Sequence, residues 1–444
     1  MDAATTLRPL VDAALGTDLP VRVDCWDGSS MGPADADVVV RFVSRRALRR
    51  LAWAPNELGF ARAYVSGDVE IDGDLLDALC RLEALADPER GPGVRIGRET
   101  TAAVTKAVVR LGAVGLPPRP PTEEIRLSGR RHGRWRDAKA VSHHYDVGND
   151  FYALVLGPTM VYSCAFFEQE PSPDYTVDDA QRAKLDLVAR KLRLAPGMRL
   201  LDVGCGWGSF VLHAARTYGV DAVGVTVSEE QAAFARAAVA SEGLADRVEI
   251  RVQDYRDVPD GPYDAIASIG MAEHVGLSQL DEYAAHLHTL LAPGGRLLNH
   301  AISRRPGPPG DPKGDKTSFI DRYVFPDGEL HPLSTMVDVL ESAGFEVRDV
   351  ESLREHYADT LRAWVANLEA NWDQAVRLSS AGRARVWRLY MAGSALAFRS
   401  NRLGINQVLA VKTGPGGASG FPRTRSELVG TAAPRNGGSP SVQA

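Results

Sequence analysis

From about residue 178 the chain alternates between two hydrophobic periods. DDAQRAKLDLVARKL, SFVLHAARTYG, EEQAAFARAAVASEG and LDEYAAHLHTLLAPGG carry apolar residues at three- and four-residue intervals, and each predicts a helix. RLLDVG, DAVGVTVS, VEIRVQDY, YDAIASIG and GRLLNHAIS are short apolar runs between them, and each predicts a strand. Strands joined through helices of this length imply βαβ units and a doubly wound parallel sheet, an α/β architecture.

The first 116 residues follow a different rhythm. VRVDCWDG and VVVRFV read as short strands around a turn at Asp27-Gly28. SRRALRRLAWAP reads as a helix, and AYVSGDVEIDGDLLDALCRLEAL as a strand or turn leading into a helix. This predicts a smaller α+β domain over 1–116. The run PPRPP at 117–121 opens a stiff Pro/Arg-rich linker over 117–139, and the larger domain follows at 140–411. Residues 412–444, rich in Gly, Ser, Pro and Thr, read as a disordered tail.

Composition narrows the class. A length of 444 residues allows two domains, and 44% apolar with 24% charged residues is the balance of a soluble globular protein. The net charge of −6 opposes a general nucleic-acid binder. The opening MDAATTLRPLVDAAL lacks the basic and apolar regions of a secretory leader, and no apolar run is long enough to cross a bilayer. Cys25, Cys80, Cys164 and Cys205 are scattered, which suits a reducing cytoplasm and gives no zinc or disulfide framework. The linker is locally basic: Arg126, Arg130, Arg131, Arg134, Arg136 and Lys139 surround Trp135. It reads equally as a solvated connector or as a surface for anionic lipid headgroups.

The clearest chemistry lies at Asp202-Val203-Gly204-Cys205-Gly206-Trp207-Gly208, between a predicted strand and a predicted helix. Glycines let the backbone approach a ligand and expose N–H groups at a helix start. The acid precedes the glycines and the G-x-G-x-x-G spacing is absent, which favours S-adenosylmethionine over a dinucleotide. Gln253-Asp254 closes the third strand, where an adenine amine would need an acceptor. The second strand departs from the usual acidic ending. It runs Gly224-Val225-Thr226-Val227-Ser228 with Gln231 beyond, so neutral groups would hold the ribose.

Taken together, HHYDVGNDFYALVLGPTMVYSCAFF, LLDVGCGWGSF, GVTVSEEQ, SIGMAEHVG and FIDRYVFPDGEL resemble the cyclopropane-fatty-acyl-phospholipid synthase family, which includes the mycolic acid methyltransferases. The likeness spans about residues 140–410. It implies a Rossmann-like methyltransferase domain that adds the methyl of S-adenosylmethionine to the cis double bond of an unsaturated phospholipid acyl chain. An alkene is a weak nucleophile, so it must be aligned and water excluded. The resulting carbocation then loses one proton. Direct loss from the new methyl closes a cyclopropane. A prior hydride shift gives an exocyclic methylene, which a separate reductase would convert to a methyl branch.

The resemblance further implies a bicarbonate ion as the base, held by Cys164, Glu273, His300, Tyr357 and the amide of Ile302. It assigns cofactor contacts to Tyr145, Tyr162, Ser163, Asp202, Gly204, Gly206, Gly208, Thr226, Ser228, Gln231, Gln253, Asp254 and Ile269, and no metal. The implied place of work is the cytoplasmic face of a membrane, with self-association as a further expectation.

Individually these residues have plainer readings: Cys164 as a small buried hydrophobe, His300 as a core histidine, Glu273 as a helix cap. Tyr357, Leu361, Trp364, Leu368 and Trp372 recur at helical spacing, as a core stripe would. Aromatic residues from Phe151 to Phe167 and from Phe319 to Phe325 fit an acyl tunnel, a cation-stabilising wall or ordinary core. A methyltransferase for a soluble acceptor would need neither the base site nor the tunnel. A lipid-binding scaffold with a vestigial cofactor fold would be expected to have lost Cys164, Glu273 or His300.

Overall fold

The computed structural model describes residues 2–15, 18–86, 98–125, 147–306, 318–326, 328–425 and 428. Tyr145 and the basic run from Arg126 to Lys139 lie outside them.

The first unit contains α1 (Ala3–Leu15), β1 (Arg22–Asp24), β2 (Ser30–Met31), β3 (Val39–Phe42), α2 (Arg45–Trp53), α3 (Glu57–Val65), β4 (Val69–Asp72), α4 (Leu75–Ala86) and α5 (Arg98–Arg110). Its four strands pair in the order β2-β1-β3-β4. The turn expected at Asp27-Gly28 is present, with Gly28 at φ 83° and its N–H donating to the Cys25 carbonyl. It folds β1 back on the unforeseen β2, whereas VVVRFV supplies β3, which runs parallel to β1.

The second unit begins with α6 (Asn149–Leu156) and α7 (Val177–Leu192). It continues through β5 (Arg199–Val203), α8 (Ser209–Tyr218), β6 (Asp221–Thr226), α9 (Glu229–Ser241), β7 (Val248–Val252), β8 (Tyr263–Ile269), α10 (Leu280–Leu290) and β9 (Leu291–Arg304). The remaining elements are α11 (Phe319–Tyr323), α12 (Leu333–Ser342), β10 (Glu346–Ser352), α13 (Arg354–Ala370), α14 (Trp372–Leu378), α15 (Ala381–Arg399) and β11 (Leu403–Val411). The seven strands pair in the order β10-β11-β9-β8-β5-β6-β7. β5 through β9 are mutually parallel, as the alternating pattern predicts. β11 departs from that prediction by running antiparallel to both β9 and β10.

Two boundaries differ from the sequence reading. The helix expected to run through Leu291-Ala292-Pro293-Gly294-Gly295 stops at Leu290, and β9 begins there. Proline and glycine disfavour the helix, and strand partners take over: the Lys412 N–H donates to Gly295 O and the Gly294 N–H to Lys412 O. The tail expected from Lys412 is held against the sheet as far as the description reaches continuously, to Arg425. Lys412 Nζ donates to the His288 and Leu291 carbonyls, and the Phe421 ring lies under the Arg296 and Arg348 guanidiniums, 4.0 and 5.0 Å from its centroid. A single aromatic between two cations anchors a segment whose composition otherwise argues for disorder.

The units share one apolar cluster, in which Val40, Tyr64 and Ile71 join Trp364, Trp387 and Tyr390 of α13 and α15. Arg388 of α15 donates to Tyr64 Oη at 3.1 Å and the Gly73 carbonyl at 3.2 Å. Arg62 of α3 makes a two-bonded pair with the buried Glu124 carboxylate, both contacts at 2.7 Å.

Candidate active site

A cavity of about 410 Å³ opens at the carboxyl ends of β5, β6, β7 and β8, where ligands bind in open α/β sheets. Tyr162, Ser163, Asp202, Gly204, Gly206, Thr226, Gln231, Gln253, Asp254 and Ile269 line it, ten of the expected cofactor residues. Gly206 has φ 55°, and a Cβ there would meet nothing within 4 Å. Its role is therefore the backbone turn rather than close packing.

Gly208 and Ser228, expected in the same site, sit behind the lining. A Cβ on Gly208 would come within 3.0 Å of Ala235 Cβ, so this glycine seats α8 against α9. Ser228 caps α9 by accepting from Gln231 N at 3.3 Å. The neutral ending of β6 is internally bonded: Thr226 Oγ1 donates to Gln231 Oε1 at 2.9 Å and accepts from Ser228 N at 3.2 Å. Arg256 engages both Asp254 oxygens, at 2.8 and 2.5 Å, and Gln253 Nε2 donates to Asp257 O at 2.7 Å.

Two residues that hold the lining escaped the sequence reading. Gln181 and Lys184 lie on the inner face of α7, fully or almost fully buried. Gln181 Nε2 donates to Ser163 O at 2.8 Å and Lys184 Nζ to Ser163 Oγ at 2.9 Å. Burial lowers Lys184 to about 8, opposed by Cys164 and Asp202. Burial raises Asp202 to about 7, opposed by Lys184. The readable signal was polar residues on the apolar stripe of this helix, where Gln181, Lys184 and Lys191 share a face with Val188.

None of the five residues assigned to the base site lines this cavity; Glu273 and Ile302 line a second, smaller pocket instead. Glu273 Oε1 accepts from Ile302 N at 2.8 Å, which joins two of them. His300 stands two positions before Ile302 on β9, in register with Ile269 of the lining. Its Nδ1 lies 3.2 Å from Gln407 Nε2 of β11, another residue the sequence reading missed. In this amide orientation Gln407 donates, so the neutral imidazole carries its proton on Nε2. Burial, reinforced by Lys184 and Lys191, holds His300 well below its ordinary range. Burial raises Glu273 to about 7, against the pull of the Ile302 amide. Among the described residues, Glu273 Oε2, His300 Nε2 and Gln407 Oε1 are buried without hydrogen-bond partners.

Cys164, in the segment between α6 and α7, lies at the start of α13, the helix that carries Tyr357. The Cys164 thiol donates to the Ala165 and Leu353 carbonyls at 3.1 and 3.6 Å, and burial raises its pKa well above the ordinary value. It is therefore a neutral thiol. Tyr357 packs on Phe398 and Trp364, with centroids at 4.7 and 6.2 Å. Lys184, bonded to Ser163 beside Cys164, also opposes a positive charge on His300.

Aromatic rings continue this wall toward the cofactor loop. Tyr162 lies among Tyr152, Trp364 and Trp387, with centroids at 5.5 to 5.8 Å, and its hydroxyl donates to Tyr390 Oη at 3.2 Å. Tyr152 packs on Trp207 of the glycine loop at 4.7 Å. Trp387 and Tyr390 were not singled out from sequence, because each lies far along the chain from the block it joins.

A family model for mycolic acid cyclopropane synthetase matches residues 132–408. The chain belongs to that family. This cyclopropane synthetase family member is 42% identical to a "Probable fatty acid methyltransferase" of Mycobacterium tuberculosis, over 91% of this chain and 93% of the relative. It is 38% identical to cyclopropane mycolic acid synthase 3 of the same species, over 60% of this chain and 94% of that one. Among solved structures, cyclopropane synthase MmaA2 of M. tuberculosis matches with TM-score 0.58 and 33% identity, covering 63% of this chain and 99% of its own. Mycolic acid cyclopropane synthase CmaA1, complexed with SAH and CTAB, matches with TM-score 0.58 and 36% identity, covering 62% and 98%. The fold is thus that of the S-adenosylmethionine-dependent methyltransferases, and the family member described here is such an enzyme.

Proposed function

We propose that the enzyme methylates the cis double bond of an unsaturated phospholipid acyl chain and that a cyclopropane-bearing chain is its product. The observation that carries this reading is the buried, unpartnered pair Glu273 Oε2 and His300 Nε2, with Ile302, whose amide bonds Glu273, packed against the apolar and aromatic cluster that holds Cys164, Tyr357 and Trp364. Methyl transfer to a soluble amine or hydroxyl would need no such wall. The unpartnered atoms also fit a small oxyanion, for which Glu273, His300, Cys164, Tyr357 and the Ile302 amide are the candidate holders. When bound, S-adenosylmethionine supplies an electrophilic methyl and bicarbonate supplies a base for the one departing proton.

The chain's own residues would act around that chemistry. Thr226, Gln231, Gln253 and Asp254 offer neutral and acidic partners at the cofactor's polar end. Gln407 fixes the His300 tautomer so that Nε2–H faces an acceptor, and Lys184 biases the surroundings toward negative charge. The ring faces of Tyr162, Trp364 and Trp387 would stabilise positive charge on the acyl carbons by about 0.5–2 kcal/mol each in the absence of water. Burial of the whole wall excludes the water that would otherwise trap a carbocation.

A methyl-branched product is a second reading, favoured by one observation. A "Tuberculostearic acid methyltransferase" of M. tuberculosis, 33% identical, aligns over 90% of this chain, whereas cyclopropane mycolic acid synthase 3 covers 60%. That reading routes the charge through a hydride shift to an exocyclic methylene and calls for a separate reductase.

The test uses the purified enzyme, S-adenosylmethionine, bicarbonate and vesicles of cis-monounsaturated phospholipid, with mass analysis of the released acyl chains. Gain of one CH₂ is expected, and NMR distinguishes ring from methylene. No gain at any of several double-bond positions would redirect the search to soluble acceptors.

A further inference from the structure

The first unit carries a surface that its own fold leaves unfinished. Four large apolar residues stand in water around the ends of α2 and α5 and the turn that follows: Leu116 at 85% exposure, Val109 at 61%, Val114 at 59% and Trp53 at 57%. They are held together by local contacts. Trp53 Nε1 donates to Gly115 O at 3.0 Å, which fixes the indole beside the chain leading into Leu116.

Cations surround this patch. α2 carries four arginines, and the fold treats them as two pairs. Arg46 and Arg50 both reach Asp68, at 3.3 and 2.8 Å. Arg45 and Arg49, one turn apart, have no acidic partner among the described residues, and Arg49 Nε is buried without any hydrogen-bond partner. Their guanidiniums lie over Gly112 and Gly115: Arg45 Nη1 is 3.2 Å and Arg49 Nη1 2.7 Å from where a Cβ would sit. Lys106 and Arg110, again one turn apart on α5, are exposed and likewise lack an acidic partner among the described residues.

We propose that this surface docks the enzyme on an anionic lipid bilayer. The occupant follows from charge and apolarity together. Unpaired cations around an exposed Trp, Leu and Val cluster complement a layer that offers negative headgroups above hydrocarbon. Tryptophan beside a backbone carbonyl suits the headgroup level, and arginine stems can lie along apolar surface while their heads stay wet. The chain as a whole is acidic, so this concentration of unpaired cations is local. The inference deepens the phospholipid reading and rests on it for the choice of occupant.

The experiment is co-sedimentation of the full chain with vesicles of phosphatidylcholine alone or with phosphatidylglycerol added, without cofactor. The variants are Val109→Glu/Leu116→Glu and Arg45→Ala/Arg110→Ala, all at exposed positions. Thermal unfolding checks the fold, and methyl transfer to detergent-dispersed lipid checks the active site.

Wild type is expected to prefer the anionic vesicles and to lose binding as salt rises. Each double variant should bind at least about 10-fold more weakly, and the arginine pair about 30-fold, at roughly five-fold per basic residue. Detergent-phase activity should be unchanged. Variants that bind like wild type overturn the proposal, as does a change only in oligomeric state, which would assign the face to a second copy. Wild-type activity in detergent without vesicle binding overturns the surface and leaves the acyl-chain reading intact. Variant-sensitive binding without methylation of any lipid does the reverse.

Discussion

At the carboxyl end of β6, polar groups come from one short segment and satisfy one another: Thr226 bonds Gln231 and Ser228, and Ser228 caps the helix that carries Gln231. At the junction of β9 and β11 the polar groups come from three distant segments, and each keeps an unsatisfied buried atom: Glu273 Oε2, His300 Nε2 and Gln407 Oε1. The first region is a finished platform, and its residues cost little to keep. The second is held in a state that folding alone would not favour, since burying an unpaired polar atom costs about 1–3 kcal/mol. The difference separates binding from chemistry within one site.

The strongest test of this contrast is Glu273→Gln. Turnover should fall by about 100-fold or more, while cofactor affinity, measured by calorimetry, stays within about three-fold. Comparable losses of both would merge the two regions into one.

The same variant should be more stable than wild type, and the gain should depend on pH. Folded Glu273 titrates near 7 and the unfolded side chain near its ordinary 4.5. Between these values the native state keeps a proton the unfolded chain has released, so wild-type stability falls as pH rises through this window. Above about 7 the full cost of the buried carboxylate is present. Glutamine should therefore add stability on the order of 3 kcal/mol above pH 7, and the gain should vanish below about 4.5. Denaturant melts across this range measure it.

Gln407→Leu should lower turnover about 10-fold, the scale of one orienting hydrogen bond of about 1–2 kcal/mol, again without weakening the cofactor. Kinetics with matched binding measurements test this. The smallest effect is expected from the finished region. Ser228→Ala should cost about 1 kcal/mol of stability as a lost cap and change cofactor affinity less than two-fold by calorimetry.

The two regions also differed in how much of them could be read beforehand. The glycine loop, Thr226, Gln231 and Asp254 are legible because strand, turn and ligand-facing residue are consecutive in the chain. Glu273, His300 and Cys164 could be picked out only through resemblance, since a lone buried acid, histidine or thiol has a commoner structural explanation. Gln407 and Lys184 were missed for opposite reasons. Gln407 acquires meaning only through its antiparallel register with His300, which no local pattern encodes. Lys184 was visible as a polar interruption of an apolar helix face, but its partner Ser163 comes from a separate segment. The reversed direction of β11 and the anchoring of Phe421 are tertiary facts of the same kind.

The position of β11 has a consequence for the order in which the enzyme becomes competent during synthesis. The expected cofactor residues that line the cavity have all been made by the end of β8, but His300 receives the amide that sets its tautomer only from Gln407 of β11, several elements later. A nascent or prematurely terminated chain can therefore possess the cofactor loop while lacking β11, and with it the Gln407 partner of His300.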